Sequence, residues 1–227
     1  MTRNANARIA GVTYLAYIAF AFPSMVISSR ATAGETMAAK FATITQHGSD
    51  LRLAVILNLL SALCALTLAV TLYAITRDED RDLGLFGFAC RVAEGIVGSV
   101  PVSTFGLLWL ATPSGPLAPE PMAAQAIGAF LMKFGLWQAQ TAATLFAVGS
   151  TVFCYLLLRG RMIPTWLASL GVFGSAIVVA GVPLEMVGVL RGTPAQLQWI
   201  PIALFEITVS VWFIVKGVSP AREHRNG

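Results

Sequence analysis

Apolar residues run almost unbroken through six stretches of this 227-residue chain, and polar residues gather in the short segments between them. The runs occupy about 9–29, 51–76, 83–111, 136–158, 164–190 and 199–217. Each meets the roughly 20 residues that an α-helix needs to cross a hydrocarbon core about 30 Å thick. None resolves into the alternating segments of about ten residues that mark transmembrane β-strands. The pattern predicts an all-α fold, a single polytopic bundle of six transmembrane helices over residues 1–227.

The connecting segments add detail. Residues 29–50 are polar, with a short surface helix expected from Glu35 to Thr45. Arg77-Asp78-Glu79-Asp80-Arg81-Asp82 reads as a tight, solvated turn, and Pro113, Gly115, Pro116, Pro119 and Pro121 mark a loop. Residues 122–134 read either as a separate surface helix or as the start of a long fourth helix, with Gly135 a plausible break. Ala31-Thr32-Ala33 after the first run imitates a signal-peptide cleavage site. That run exceeds the usual 7–15 residues of a signal core, so it is expected to be a retained helix.

Composition agrees with the pattern. Hydrophobic residues make up 56% of the chain and charged ones 11%, against about 25% charged in soluble domains; mean hydropathy is +0.74. The net charge of +4 acts as a topology signal. With six crossings, Arg3, Arg8, Arg77, Arg81, Arg159, Arg161, Lys216, Arg222 and Arg225 share the side of the termini, while Arg30, Lys40, Arg52, Lys133 and Arg191 fall opposite. The positive-inside rule then puts both termini in the cytoplasm, in a multi-pass inner (plasma) membrane protein. No basic patch is interleaved with aromatics, so no nucleic-acid partner is expected. Cys64, Cys90 and Cys154 lie in apolar runs without a CxxC neighbour, and His47 and His224 lack ligand spacing, so no metal site is expected. Nor is any cofactor: there is no Gly-rich phosphate loop, and Asp50, Asp78, Asp80 and Asp82 sit in loops or at helix ends rather than in paired magnesium-binding motifs.

Four charges inside the apolar runs break the rule that the rest obeys. Arg91 and Glu94 lie in the third, Glu185 in the fifth and Glu206 in the sixth. A charge at mid-membrane costs roughly 2.5–3.5 kcal/mol even on insertion scales, so these groups face one another, a cavity or water. In the third run Gly84, Gly87, Arg91, Glu94, Gly98, Pro101 and Phe105 recur at spacings of three and four and form one face. Pro101 is expected to bend the helix above Glu94. At about 1.5 Å per residue Glu94 lies near the midplane, and Asn58 and Glu206 lie roughly 10 Å below the outer surface. Polar groups, including Gln138 with Thr141 or Gln140 with Thr144, thus converge on the outer half of the bundle.

Short segments along most of the chain carry a family resemblance. They are Ala7-Arg8-Ile9-Ala10-Gly11 with Tyr14-Leu15, Leu72-Tyr73, Cys90-Arg91-Val92-Ala93-Glu94, Arg161-Met162-Ile163-Pro164-Thr165-Trp166-Leu167, and Phe205-Glu206 with Val215-Lys216-Gly217-Val218. In order and spacing the chain resembles the bacterial DUF4386 family of six-helix membrane proteins. The resemblance implies the fold and topology and carries no catalytic residues, because the family's function is unknown.

The residues themselves point to acid–base chemistry on a lipophilic partner. A carboxyl in an apolar site keeps its proton at neutral pH and can donate it, and a second carboxylate can take a proton back. The expectation is proton-initiated cyclisation or isomerisation of an isoprenoid or terpenoid substrate, with Glu94 as acid, Arg91 stabilising its conjugate base, and Glu206 or Glu185 as base or second acid. Phe105, Trp109, Trp137 and Phe205 are the aromatic candidates to steady a carbocation, with Asn58 and Gln138 as further substrate contacts. A small proton-coupled transporter, or a structural or sensory membrane protein, remains the alternative, and the oligomeric state is open.

Overall fold

The computed structural model describes residues 2–112 and 119–219. Pro113, Gly115 and Pro116 of the expected loop, and Arg222, His224 and Arg225 of the tail, lie outside the described residues. The described chain is helical, with no strand. Its elements are α1 (Arg3–Ala31), α2 (Met37–Gln46), α3 (Gly48–Thr76), α4 (Arg81–Ser99), α5 (Val102–Ala111), α6 (Pro121–Arg159), α7 (Thr165–Met186), α8 (Thr193–Leu197) and α9 (Ile200–Val215). With α4–α5 and α8–α9 each taken together, six helices are long and apolar enough to cross a membrane.

Consecutive spans pack side by side, α1 on α3, α3 on α4, α4 on α6, α6 on α7 and α7 on α9. The last, α9, returns to α1, so the six spans close into a ring. Small residues set the two closures. A Cβ on Gly11 of α1 would stand 2.6 Å from the Ser210 carbonyl oxygen of α9. A Cβ on Gly174 of α7 would stand 2.7 Å from the Ile202 backbone nitrogen. At both places helix backbones approach where no side chain fits.

Polar bonds tie one end of the ring together. Arg3 donates to the Ile75 carbonyl through Nε and Nη2, at 3.1 and 2.8 Å. The Val218 N–H donates to Asn4 Oδ1 at 3.0 Å, and the Ser219 N–H to the Met162 carbonyl at 3.0 Å. The start of α1 and the ends of α3, α6 and α9 therefore share one end. The charged turn there is built rather than merely solvated. Asp80 caps α4 by accepting the Leu83 N–H at 3.1 Å, and Arg159 reaches Glu79 at 3.1 Å and Asp80 at 3.3 Å.

At the opposite end the helices do not stop together. Helix α6 has 39 residues, about 58 Å at the α-helical rise, and overshoots a 30 Å core. Residues 122–134 are thus the start of one continuous helix, and Gly135 is not a break. Its lack of a side chain serves packing instead, since a Cβ there would meet Ser103 Oγ of α5 at 2.9 Å. The overshoot packs with α2 and α5 around a small second core of Ala31, Ile44, Leu51 and Leu107. The surface helix expected at 35–45 is α2, one to two residues later.

The third span breaks within its length. Ser99 ends α4, Val100 is extended, and Pro101 precedes α5. The interruption resets the helical phase. Gly84, Gly87, Arg91 and Glu94 are buried as the periodicity required, but in α5 the inward residues are Leu107 and Leu110, while Phe105 and Trp109 are about half exposed (50% and 48%).

Closure by backbone approach predicts a sharp size limit. Gly174→Ala should lower stability by about 1–3 kcal/mol, the usual cost of overpacking. Gly48→Ala, whose Cβ would meet Leu108 at an ordinary 3.6 Å, should change it little; thermal unfolding of the two variants in detergent compares them.

Candidate functional site: a buried Arg–Glu pair beneath an apolar cavity

Arg91 is wholly buried and Glu94 nearly so, and Nη1 of Arg91 stands 3.0 Å from Oε2 of Glu94. Their separation of three residues puts both on the inner face of α4. Two aromatic rings hold the guanidinium: its Cζ lies 4.9 Å from the Phe146 ring centroid and 5.7 Å from that of Tyr17. Such distances give a cation–π attraction that strengthens away from water. Gly149 of α6 leaves the room, since a Cβ there would touch Arg91 Cγ at 3.1 Å and the Gly87 carbonyl at 3.1 Å. Tyr17 also donates its hydroxyl to Glu94 Oε1 at 3.0 Å. The ion pair is close but poorly aligned, for none of the Arg91 nitrogens points an N–H at an acceptor. The pair is therefore held by charge and by stacking more than by directed hydrogen bonds.

Above this pair lies a cavity of about 430 Å³ within the ring, inside the range of small-molecule sites. Glu94 and Glu206 both line it, whereas Arg91 does not. Glu206 is 7% exposed, and its Oε1 has no hydrogen-bond partner. The walls are mostly apolar, with Ala62 and Ala65 of α3, Ala142 and Phe146 of α6, Ile202 of α9 and Trp199 just before it, and Asn58, Ser61 and Ser99 are the neutral polar members. Toward the end away from the termini, α1 and α9 contribute Phe22, Met25 and Ala203 to the lining. All three are exposed on the outside of the bundle. The cavity thus opens sideways between α1 and α9, where lipid tails would be.

A second cavity of about 270 Å³ shares Asn58, Gly98 and Ala139 with the first. It sits at the α4–α5 break and is edged by Ser24, Ser28, Ser103, Thr104 and Gln138. The interrupted helix leaves carbonyls without partners, and two amides supply them. Asn58 Nδ2 donates to the Gly98 carbonyl at 2.8 Å. Gln138 Nε2 donates to those of Val97 and Val100, at 2.6 and 2.8 Å.

The DUF4386 family, described as a domain of unknown function, matches residues 9–217. The chain belongs to that family. No curated protein and no solved structure matches it.

Of the site residues expected from the sequence of this DUF4386 protein, Arg91, Glu94, Glu206 and Asn58 come together at the cavity. Gln138 serves the adjoining chamber and the helix break. Glu185 is not among the lining residues; it accepts from Gln198 Nε2 at 3.2 Å near the end of α7. Phe205 is buried, but it packs against Gly171 of α7 instead of lining the cavity. Phe105 and Trp109 turn outward because of the break, and Trp137 is 47% exposed on the outer face of α6. The aromatic residues actually lining the cavity are Tyr17, Phe22, Phe146 and Trp199. Tyr17 is the notable omission, and its one sequence signal is a phenol at mid-span, three residues from Tyr14.

Removing half of a buried ion pair strands the other half. Arg91→Met should destabilise this DUF4386 protein by about 3–5 kcal/mol. Arg91→Met combined with Glu94→Gln should be more stable than Arg91→Met alone, the non-additivity expected of contacting charges. Unfolding in detergent of the two single variants and the double variant measures it.

Proposed function

We propose that this protein is a membrane-embedded enzyme that starts the cyclisation or isomerisation of an uncharged, alkene-bearing lipophile, isoprenoid in character, by proton transfer. We place it in the plasma membrane of a bacterium, with both termini cytoplasmic, on the strength of the basic residues around the end that holds the termini. One observation carries the reading: two carboxyls face an apolar cavity, and one guanidinium behind the wall is available to balance them.

Charge counting assigns the roles. Glu94 touches Arg91 and accepts the Tyr17 hydroxyl, so it is the ionised member. A second carboxylate at Glu206 would be an unmatched buried charge, which costs several kcal/mol, so Glu206 holds the proton. Glu206 is then the acid and Glu94 the carboxylate, the reverse of the order expected from the sequence. In the forward step the Glu206 proton adds to one alkene carbon, forming a C–H bond and leaving a carbocation and the Glu206 carboxylate. Loss of a neighbouring proton to a carboxylate restores the double bond at a new position or after ring closure. The sequence of steps is redox-neutral and returns the proton to the site. Arg91 helps at the hard point, since its positive charge beneath the floor stabilises the carboxylate that Glu206 becomes. Trp199 offers a ring face to a passing cation; Phe146 already has its own turned to Arg91.

The lateral opening supports a membrane-dissolved substrate. In membranes from expressing cells incubated in deuterated water, wild-type protein should place solvent deuterium in an extracted neutral lipid, and Glu206→Gln should lower that incorporation by about 10²–10⁴-fold, the range for loss of a general acid. Equal incorporation by both would end the proposal.

The α4–α5 break supports a second reading, because discontinuous helices are a device of transporters. On that reading purified protein in liposomes should carry protons with a solute, and Asn58→Leu, which uncaps the Gly98 carbonyl, should alter the flux.

A further inference from the structure

We infer that the cavity is a binding site for lipophilic monocations, in particular tertiary amines with a bulky apolar body. The inference rests on the same site as the reaction proposed above, but it concerns binding and stands whether or not chemistry follows.

Three observations converge on it. First, the cation and the anions of the site are placed differently with respect to the cavity. Arg91 lies behind the wall, stacked on Phe146 and Tyr17, while both carboxyls line the space itself. A ligand inside therefore meets carboxyl oxygens and no positive group. Second, Glu206 presents an unpartnered oxygen from a side chain more than nine-tenths buried. Glu94, by contrast, already has Arg91 and Tyr17. Neutral at rest, Glu206 is the carboxyl at the floor that would have no cation beside it once ionised. Third, the remaining walls are mostly alanines, aliphatic side chains and aromatic rings, with Asn58, Ser61 and Ser99 as neutral polar members, and Trp199, packed on Phe146, adds a second aromatic ring to the lining.

An amine satisfies all three at once. The Glu206 proton passes to the amine nitrogen, the O–H bond breaks, an N–H bond forms, and the resulting ammonium stands against the carboxylate just made. The total charge of the site is unchanged, so no unmatched ion is created. A neutral hydrocarbon of the same shape gains the burial but leaves the Glu206 acceptor unused. An anion would confront two carboxyls. The entrance between Phe22 and Met25 on one side and Ala203 on the other admits the ligand from the bilayer, where such amines concentrate.

The test uses purified full-length protein in lipid nanodiscs and two matched probes, 1-(4-phenylbutyl)piperidine and its uncharged counterpart (4-phenylbutyl)cyclohexane. Binding is read from the ligand-dependent thermal shift and from quenching of tryptophan fluorescence. The piperidine should bind at least about tenfold more tightly than the carbocycle, as a charge-assisted bond of roughly 1.5–3 kcal/mol requires. Glu206→Gln should remove that preference. Ala203→Trp, at the exposed rim and away from both carboxyls, should weaken both probes and keeps the test decisive if Glu206→Gln does not fold. Equal affinity for the two probes, a preference that survives Glu206→Gln, or binding untouched by Ala203→Trp would overturn the inference. Amine binding without any deuterium incorporation would leave it standing and remove only the proposed reaction.

Discussion

A guanidinium at the centre of a membrane bundle has to be solvated by the protein, and this requirement draws half of the ring together. Arg91 is met by the Glu94 carboxylate in its own helix and by the rings of Tyr17 and Phe146 from α1 and α6. Three spans are thereby fixed around one charge. Gly149 lets α6 close on the arginine stem, and Gly87 lets α4 close on Val152 and Phe153 of α6. In lipid the helices gain little from burying apolar surface against each other, so close packing and a few polar contacts have to hold them. The arginine draws a carboxylate and two rings together, Asn58 and Gln138 add polar contacts between spans, and the glycines allow the close packing.

The same solution leaves a remainder. One cation consumes one carboxylate, and Glu206 from α9 is left facing an apolar space. Proton donation to an alkene and capture of an ammonium are two expressions of that one imbalance. They differ only in whether the proton ends on carbon or nitrogen. This is why the proposed chemistry and the proposed ligand class share Glu206 yet come apart experimentally.

The spans, their order and the inward face of α4 were legible in the sequence because apolar runs and a three-to-four spacing report local geometry directly. The pairing of Arg91 with Glu94 was legible for the same reason. What lay beyond reach was everything set by phase or by a partner. Pro101 announced a bend, but the chain gives no sign of the rotation that carries Phe105 and Trp109 outward. Glu185 looked equivalent to Glu206, since only tertiary structure hands it Gln198. Gly135 resembled a stop yet proved a contact point for Ser103. Tyr17 was hidden because a tyrosine in an apolar run is ordinary, and its significance comes from lying opposite Arg91 once α1 and α4 are in place.

The closure of the ring between α1 and α9 has a consequence for assembly. Ribosomal synthesis delivers the first span long before the last, so α1 spends most of biogenesis with α3 on one flank and lipid on the other. Only when α9 arrives can Gly11 meet Ser210 and the Asn4 side chain take the Val218 amide. Glu206 rides in on that final span. Arg91 and Glu94 are thus already together when the carboxyl without a partner cation arrives, on the span that completes the ring.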